Sequence, residues 1–318
     1  MQALLSDTAA ADSLDLSLQL QCPRCQALMR QACCNQCGFV LGKENGIWKA
    51  MPEERLAYYA QFIGDYERIR AAEGRGSHAA EFYLSLPYKD TSGRNQKQWA
   101  IRARTFSYLT RKLLSPSSPN APVRVLDIGA GNGWLSFRLA LAQYEPVAVD
   151  LLTNDLDGLG CATHFRYLMR RTFPRFQAES AHLPFGDDQF DVAIFNASFH
   201  YSEDYRASLS EALRCVRAGG LIAICDSPWY ASDASGKRMV EERRRHFLST
   251  FGTASDSIHS LEYLTNERLE DLERHFSIRW QVHTPWYGLQ WAARPLIAKL
   301  RGRREPSRFR IYTARKAA

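Results

Sequence analysis

The sequence predicts an α/β protein: a mostly parallel sheet with helices on both faces, preceded by a small four-cysteine module and a helical connector. Three observations predict it. A short apolar strand over residues 123–128 runs into the turn Gly129-Ala-Gly131-Asn-Gly133 and then a helix over 134–143. Further apolar runs of strand length alternate with helical stretches, which is the pattern of βαβ units. Five of the eight cysteines crowd between positions 22 and 37, far more than a buried core would place there.

The 318 residues suffice for roughly two domains. A composition of 45% hydrophobic, 12% aromatic and 24% charged residues excludes collagenous, low-complexity and wholly disordered chains. No run approaches the roughly 20 apolar residues of a membrane span. The N-terminal stretch carries Asp7, Asp12 and Asp15 and no basic cluster, unlike a secretory or transit peptide. A cytoplasmic location with a flexible segment over 1–18 is the expectation. The net charge of +7 is uneven: residues 294–316 hold nine basic side chains against Glu305 alone. Such a segment reads as a polyanion-binding surface or as a solvated helix face.

The module is expected over residues 19–50. Its core is Cys22-Pro-Arg-Cys25, eight residues, then Cys34-Asn-Gln-Cys37-Gly38. Each C-x-x-C turn aims two sulfurs at one point, and four thiolates form the closed tetrahedral shell of a structural zinc site. Gly38 supplies the turn that closes a knuckle, which favours Cys34 over Cys33 as third ligand. About 30 residues bury too little to fold alone, whereas zinc supplies roughly 10–16 kcal/mol in small peptides. Cys161, Cys215 and Cys225 are scattered and read as reduced core residues.

Residues 51–120 are the connector, or lid. Pro52-Glu-Glu-Arg opens a helix with acids at its positive end, and Leu56, Tyr59, Phe62, Ile63, Tyr66 and Ile69 follow at helical spacing. A second face, Trp99, Ala103, Phe106, Leu109 and Leu113, marks a helix near 95–114. These helices are expected to pack on the next domain, with Tyr83, Tyr88, Trp99 and Arg102 as candidates to roof its site. Ser115-Pro-Ser-Ser-Pro-Asn-Ala-Pro122 is a linker.

The domain over 121–318 carries the chemistry. Its glycine turn lets the backbone approach a ligand while helix N–H groups face it. The next strand ends in Asp150, placed to accept both ribose hydroxyls of a nucleoside. A dinucleotide site needs a small residue where Trp134 stands, which excludes that ligand. The spacing is G-x-G-x-G, with Asp127 two residues before the first glycine.

This segment, VLDIGAGNGWLSFRLA, resembles the S-adenosylmethionine (SAM) motif of class I methyltransferases. Residues 176–196, with Leu183-Pro-Phe185 and Phe190-Asp-Val192, resemble that family's third and fourth strands. The resemblance is close over 121–226 and loose over 263–318, where a helix and two strands fit its final hairpin. It implies a Rossmann-like sheet of seven strands, with residues 233–262 an inserted helical segment. It further implies that Gly129, Gly131 and Gly133 line the methionine part and that Asp127 anchors its ammonium. Asp150 would hold the ribose while Leu151 packs on the adenine. Glu179 would accept from the adenine amino group, with Ser180 at a ring nitrogen. The four-cysteine module resembles zinc ribbons that precede some bacterial methyltransferase domains, including those of ribosomal RNA guanine methyltransferases.

The acceptor class is read from the segment after the fourth strand, Asn196-Ala-Ser-Phe199-His200-Tyr201. Asn196 is a candidate for the cofactor site and His200 for a general base. The prolines of amino-directed nucleic-acid methyltransferases are absent there, as is the Pro-Cys pair of cytosine C5 enzymes. A small aromatic or apolar metabolite is the first reading. The alternatives are a ribosomal RNA or tRNA base, engaged through ribbon and basic segment, and a non-enzymatic SAM-binding scaffold.

Overall fold

The computed structural model describes residues 18–118, 120–169 and 173–317. Asp7, Asp12 and Asp15, and all of the expected flexible segment except Leu18, lie outside the described residues. In chain order the structure has β1 (Leu20–Gln21), β2 (Leu28–Met29), β3 (Gly42–Glu44) and β4 (Ile47–Lys49). Then come α1 (Glu53–Ala72), α2 (Ala80–Ser85) and α3 (Gln96–Tyr108), whose last turn loosens into a π-helix at Leu109–Leu113. The α/β part comprises β5 (Arg124–Ile128), α4 (Trp134–Leu141), β6 (Glu145–Asp150), β7 (Arg175–Gln177) and β8 (Phe190–Asn196). It continues with α5 (Tyr205–Cys215), β9 (Val216–Cys225), α6 (Asp233–Phe251), α7 (Asn266–Phe276), β10 (Gln281–His283), α8 (Leu289–Leu300) and β11 (Ile311–Arg315).

The main sheet runs β10-β11-β9-β8-β5-β6-β7-β4-β3. Strands β9, β8, β5, β6, β7 and β4 pair parallel, while β10, β11 and β3 pair antiparallel with their neighbours. Helices cover both faces, so the central strands are apolar along their length rather than alternating. Seven strands, β5 to β11, make the expected sheet. The other two come from the cysteine module. Its second hairpin turns on Asn45 and Gly46, both at positive φ, as a tight hairpin requires. Its β4 then pairs with β7, setting Trp48 beside Phe176. The module is thus built into the sheet: Leu20, Met29 and Phe39 share one core with Phe185, Phe195 and Ile224.

Residues 218–220 form part of β9. Gly219 there has φ +72°, and the register with β8 slips between Phe190 and Val192. An irregular strand accommodates the glycines in place of a loop.

The connector mostly packs. Tyr83 is buried and its hydroxyl donates to the Ser77 and Leu156 carbonyls. Trp99 meets Trp134 edge-on at 5.9 Å, and Tyr88 is exposed beneath Arg138. Of the four roof candidates, only Arg102 reaches the cavity at the centre of the domain.

Candidate functional site

Strands β6 and β7 lie on one side of β5, and β8 and β9 on the other. The chain reverses direction across the sheet at that point, and a crevice opens at the strands' carboxyl ends. The glycine turn sits in it. Gly129 has φ +74°, and a Cβ there would stand 2.2 Å from the Ser198 Cβ, so only glycine fits. Gly133, also left-handed, caps α4.

Asp150 holds this turn. Its Oδ2 accepts the Gly131 N–H at 2.7 Å and its Oδ1 accepts the Leu152 N–H at 2.8 Å. Burial nevertheless raises it to about 6, against the pull of those N–H donors. Asp127 is buried behind the turn. One oxygen accepts the Ser136 hydroxyl at 2.8 Å, while the other has no partner among the described residues, and burial raises this carboxyl to about 7. Neither acid is matched by a cation among the described residues. Both suit a ligand bearing hydroxyls and a positive charge.

The crevice is closed into a cavity of about 330 Å³, within the range of small-molecule sites. Gly129, Gly131, Asp150, Leu151, Glu179, Ser180 and Asn196 line it together. Its roof is α1, which contributes Arg55, Tyr59, Phe62, Tyr66 and Arg70. Periodicity alone assigns α1 a packing role. The signal that could have revealed more is the aromatic and arginine composition of the stripe 55, 59, 62, 66, 70, unusual for a face with only a core to meet. The roof is braced by neighbouring segments. Ile258 packs with Tyr59 and Phe62, Tyr58 donates to Glu203 at 2.7 Å, and Thr253 donates to Asp65 at 2.8 Å.

This geometry bears on three sequence-based roles. The first is that of Glu179 as receiver of the adenine amino group. Arg55 donates to both its oxygens at 2.9 and 2.6 Å, Tyr59 donates at 3.0 Å, and the His182 ring stands 3.2 Å away. Burial works to raise this carboxyl, but the His182 and Arg55 contacts outweigh it and hold it at about 2. With four donors around two oxygens its acceptor capacity is filled, so it fastens α1 to the floor. The second is that of His200 as a base near the reacting atoms. Its ring is buried outside the cavity wall, with Nδ1 3.3 Å from the Ser227 hydroxyl. Burial, with Arg243 and Arg102 adding, brings it down to about 3, a neutral side chain and a weak base. Third, Asp127 and Gly133 lie behind the lining rather than in it.

Two cavity arginines differ. Arg70 pairs with Asp157. Arg102 has no hydrogen bond or ion pair among the described residues and lies over the Trp99 ring at 4.7 Å. Burial, with Arg70 nearby, brings it down to about 10. A guanidinium so placed is a receptor for an anionic group.

In the N-terminal module the Sγ atoms of Cys22, Cys25, Cys34 and Cys37 all lie within 4.8 Å of one another. The Cys22–Cys37 and Cys25–Cys34 pairs are 3.6 and 3.5 Å apart. Zn–S bonds of about 2.3 Å in a tetrahedron separate sulfurs by roughly 3.8 Å, so the set fits that ion. Gly38 takes φ +73°, and its N–H donates to the Cys34 carbonyl. Backbone N–H groups of Cys37 and Gln36 pull Cys34 down to about 7. Cys33 is exposed and outside the cluster.

A glycine turn at the switch point of a mostly parallel sheet, with an acid ending the next strand, defines a nucleoside-binding α/β domain. Residues 126–224 match the family described as methyltransferase domain. Among curated relatives, an uncharacterized protein of Mycobacterium tuberculosis is 26% identical over 157 residues, covering 47% of this chain and 55% of that protein. The malonyl-[acyl-carrier protein] O-methyltransferase of Geobacter sulfurreducens is 35% identical over 104 residues, 32% of this chain and 38% of that one. The demethylmenaquinone methyltransferase of Clavibacter sepedonicus is 33% identical over 110 residues, 34% and 43% of the respective chains. The chain thus spans about half or less of these relatives' length. The crystal structure of the YcgJ protein from Bacillus subtilis is 16% identical, with a TM-score of 0.49, and the match covers 68% of this chain and 99% of that one.

Proposed function

We propose that this protein transfers a methyl group from SAM to a small, apolar or aromatic metabolite. The observation that carries the reading is the cavity itself, which sets Asp150 in its floor and Asp127 just behind it, both buried, against an aromatic roof of Tyr59, Phe62 and Tyr66. The two relatives named for demethylmenaquinone and for malonyl-acyl-carrier protein support an acceptor other than a nucleic acid. Most of the C-terminal basic charge is engaged within the protein. Arg304 pairs with Glu242, Arg308 with Glu305 and Lys316 with Asp188, while Arg310 lies over Trp229.

SAM, when bound, supplies a methyl group on a sulfonium, already activated for displacement. The residues mainly position. Asp150 keeps free lone pairs for the ribose hydroxyls, and Leu151 offers an apolar surface to the adenine. The unpartnered oxygen of Asp127 attracts the ammonium through the glycine turn, and Arg102 takes the methionine carboxylate. Alignment of donor and acceptor in such a closed site is worth about 7–11 kcal/mol in favourable cases. The α1 roof excludes water. Cys22, Cys25, Cys34 and Cys37 hold a structural zinc ion, which leaves no open coordination position for catalysis.

The test traces labelled methyl from SAM into lysate of a strain lacking the gene, fractionated into RNA, protein and organic-extractable pools. Label in the organic pool is the expected result. Label in RNA overturns the acceptor class, and SAM binding without transfer to any pool favours the scaffold.

A further inference from the structure

Helix α8 is turned inside out. None of its residues is buried, and its solvent side is its apolar side. Leu289, Leu296 and Leu300 are 79%, 62% and 79% exposed, and their spacing of seven and four places them on one stripe. Trp286, just before the helix, is 65% exposed. The opposite side faces the protein, where Trp291 stacks on Phe309 at 5.2 Å. Scattered exposed leucines are ordinary on a protein surface, but a continuous stripe on one helix marks a contact.

The charge around the stripe says with what. Lys299, Arg301 and Arg303, at and just beyond the helix end, are exposed and have no ion pair among the described residues. The neighbouring Glu242 and Glu305 are already bound to Arg304 and Arg308. A second copy meeting this face across a two-fold axis would set the same three cations against themselves. The occupant must be apolar in depth and anionic at its surface. A bilayer with acidic headgroups has both properties.

The helix also lies at the informative end of the sheet. Ile311, which begins β11 just after the α8 segment, pairs with Cys225 at the carboxyl end of β9, the end where the cavity opens. Tyr287 before the helix shares a hydrogen bond of 2.8 Å with Thr105, which donates to Asp226 at 2.6 Å. We propose that α8 is an interfacial membrane-docking helix that seats the carboxyl end of the sheet on an anionic lipid surface. The proposal rests on the apolar-acceptor reading only for its purpose: a lipid-soluble acceptor would be met where it resides.

The test is sedimentation of the full-length protein with phosphatidylglycerol-containing vesicles and with pure phosphatidylcholine vesicles. Binding to the former is expected, with Leu289→Ser plus Leu296→Ser weakening it roughly tenfold or more. Arg301→Glu plus Arg303→Glu should weaken it severalfold and reduce its salt dependence. SAM affinity by calorimetry should be unchanged in both variants, which certifies their fold. If the leucine variant misfolds, quenching of wild-type tryptophan emission by brominated lipid reads the same contact directly. Equal binding by wild type and a folded leucine variant, or no wild-type binding, overturns the proposal. So does a dimer that the leucine variant converts to monomer, or RNA binding lost in the same variants. Vesicle binding together with methyl label in RNA would leave the docking standing and sink the acceptor reading.

Discussion

The floor and the roof of the cavity handle buried carboxylates in opposite ways. In and just behind the floor, Asp150 and Asp127 are met, among the described residues, by backbone N–H groups and a hydroxyl alone, and burial raises both. In the roof contact, Glu179 is also buried but surrounded by Arg55, Tyr59 and His182, and it is held at about 2. A compensated acid stabilises the fold and has no lone pair to offer. An uncompensated one costs stability until a ligand arrives, and that cost is what makes the floor a binding surface. The difference separates positions that build the site from positions that use it.

The largest effect should come from the structure beneath both. Cys22→Ser with Cys37→Ser removes a ligand from each knuckle. Because β4 joins β7 and leads directly into α1, loss of the module should unseat the roof as well. Metal analysis should show about one zinc per wild-type chain and none in the variant, with a fall in thermal stability of several kcal/mol. Full SAM affinity in the zinc-free variant would show the roof to be independent of the module.

Next, Asp150→Ala should weaken SAM binding by about 1.5–3 kcal/mol, the range for hydrogen bonds involving a charged group. The global fold should survive, since the lost partners are two turn N–H groups. Unchanged affinity in calorimetry would move Asp150 from the using class to the building class. By contrast, Arg55→Ala should act first on stability, by about 1–3 kcal/mol, because it strands a buried acceptor. SAM affinity should then fall only as the roof loosens. A loss of affinity at unchanged stability would reverse that assignment.

The pH dependence sharpens the comparison without mutation. Asp127 and Asp150 have folded values of about 7 and about 6, above the ordinary 3.8. They impose no penalty below pH 3.8, and stability falls as pH rises from about 4 to 7. Glu179 lies below its ordinary 4.5; its contribution is full above that value and is lost as pH falls through 4.5 toward 2. Ligand-free protein should therefore lose stability as pH rises from about 4.5 to about 7, and Asp127→Asn should flatten that slope. SAM affinity should rise over the same interval as the floor ionises. The smallest effect is expected for His200→Asn, where kcat should avoid the roughly 10²–10⁴-fold fall that loss of a general base causes. A loss of that size would restore His200 to the chemistry.

The floor was legible because it is local. Gly129, Gly131 and Gly133 are close in sequence, and Asp150 is a strand away, so a strand–turn–strand pattern places them with little freedom. The cysteine knuckles were legible for the same reason, since a C-x-x-C turn fixes two sulfurs by itself. The placing of His200 was not legible, because proximity in sequence to the end of β8 says nothing about which side of the wall a side chain takes. Backbone direction and neighbours such as Ser227 settle that.

The sequence by itself determined the α/β class, the glycine turn with its acid-ended strand and the four clustered cysteines, because each rests on short-range backbone geometry. Only the tertiary structure decided that β4 extends the sheet, that α1 forms the roof and that Glu179 binds Arg55 rather than waiting for a ligand. It alone turned the apolar stripe of α8 outward. Those outcomes depend on contacts between residues as far apart as Arg55 and Glu179. Periodicity can say that a helix has an apolar face, but not what that face will meet.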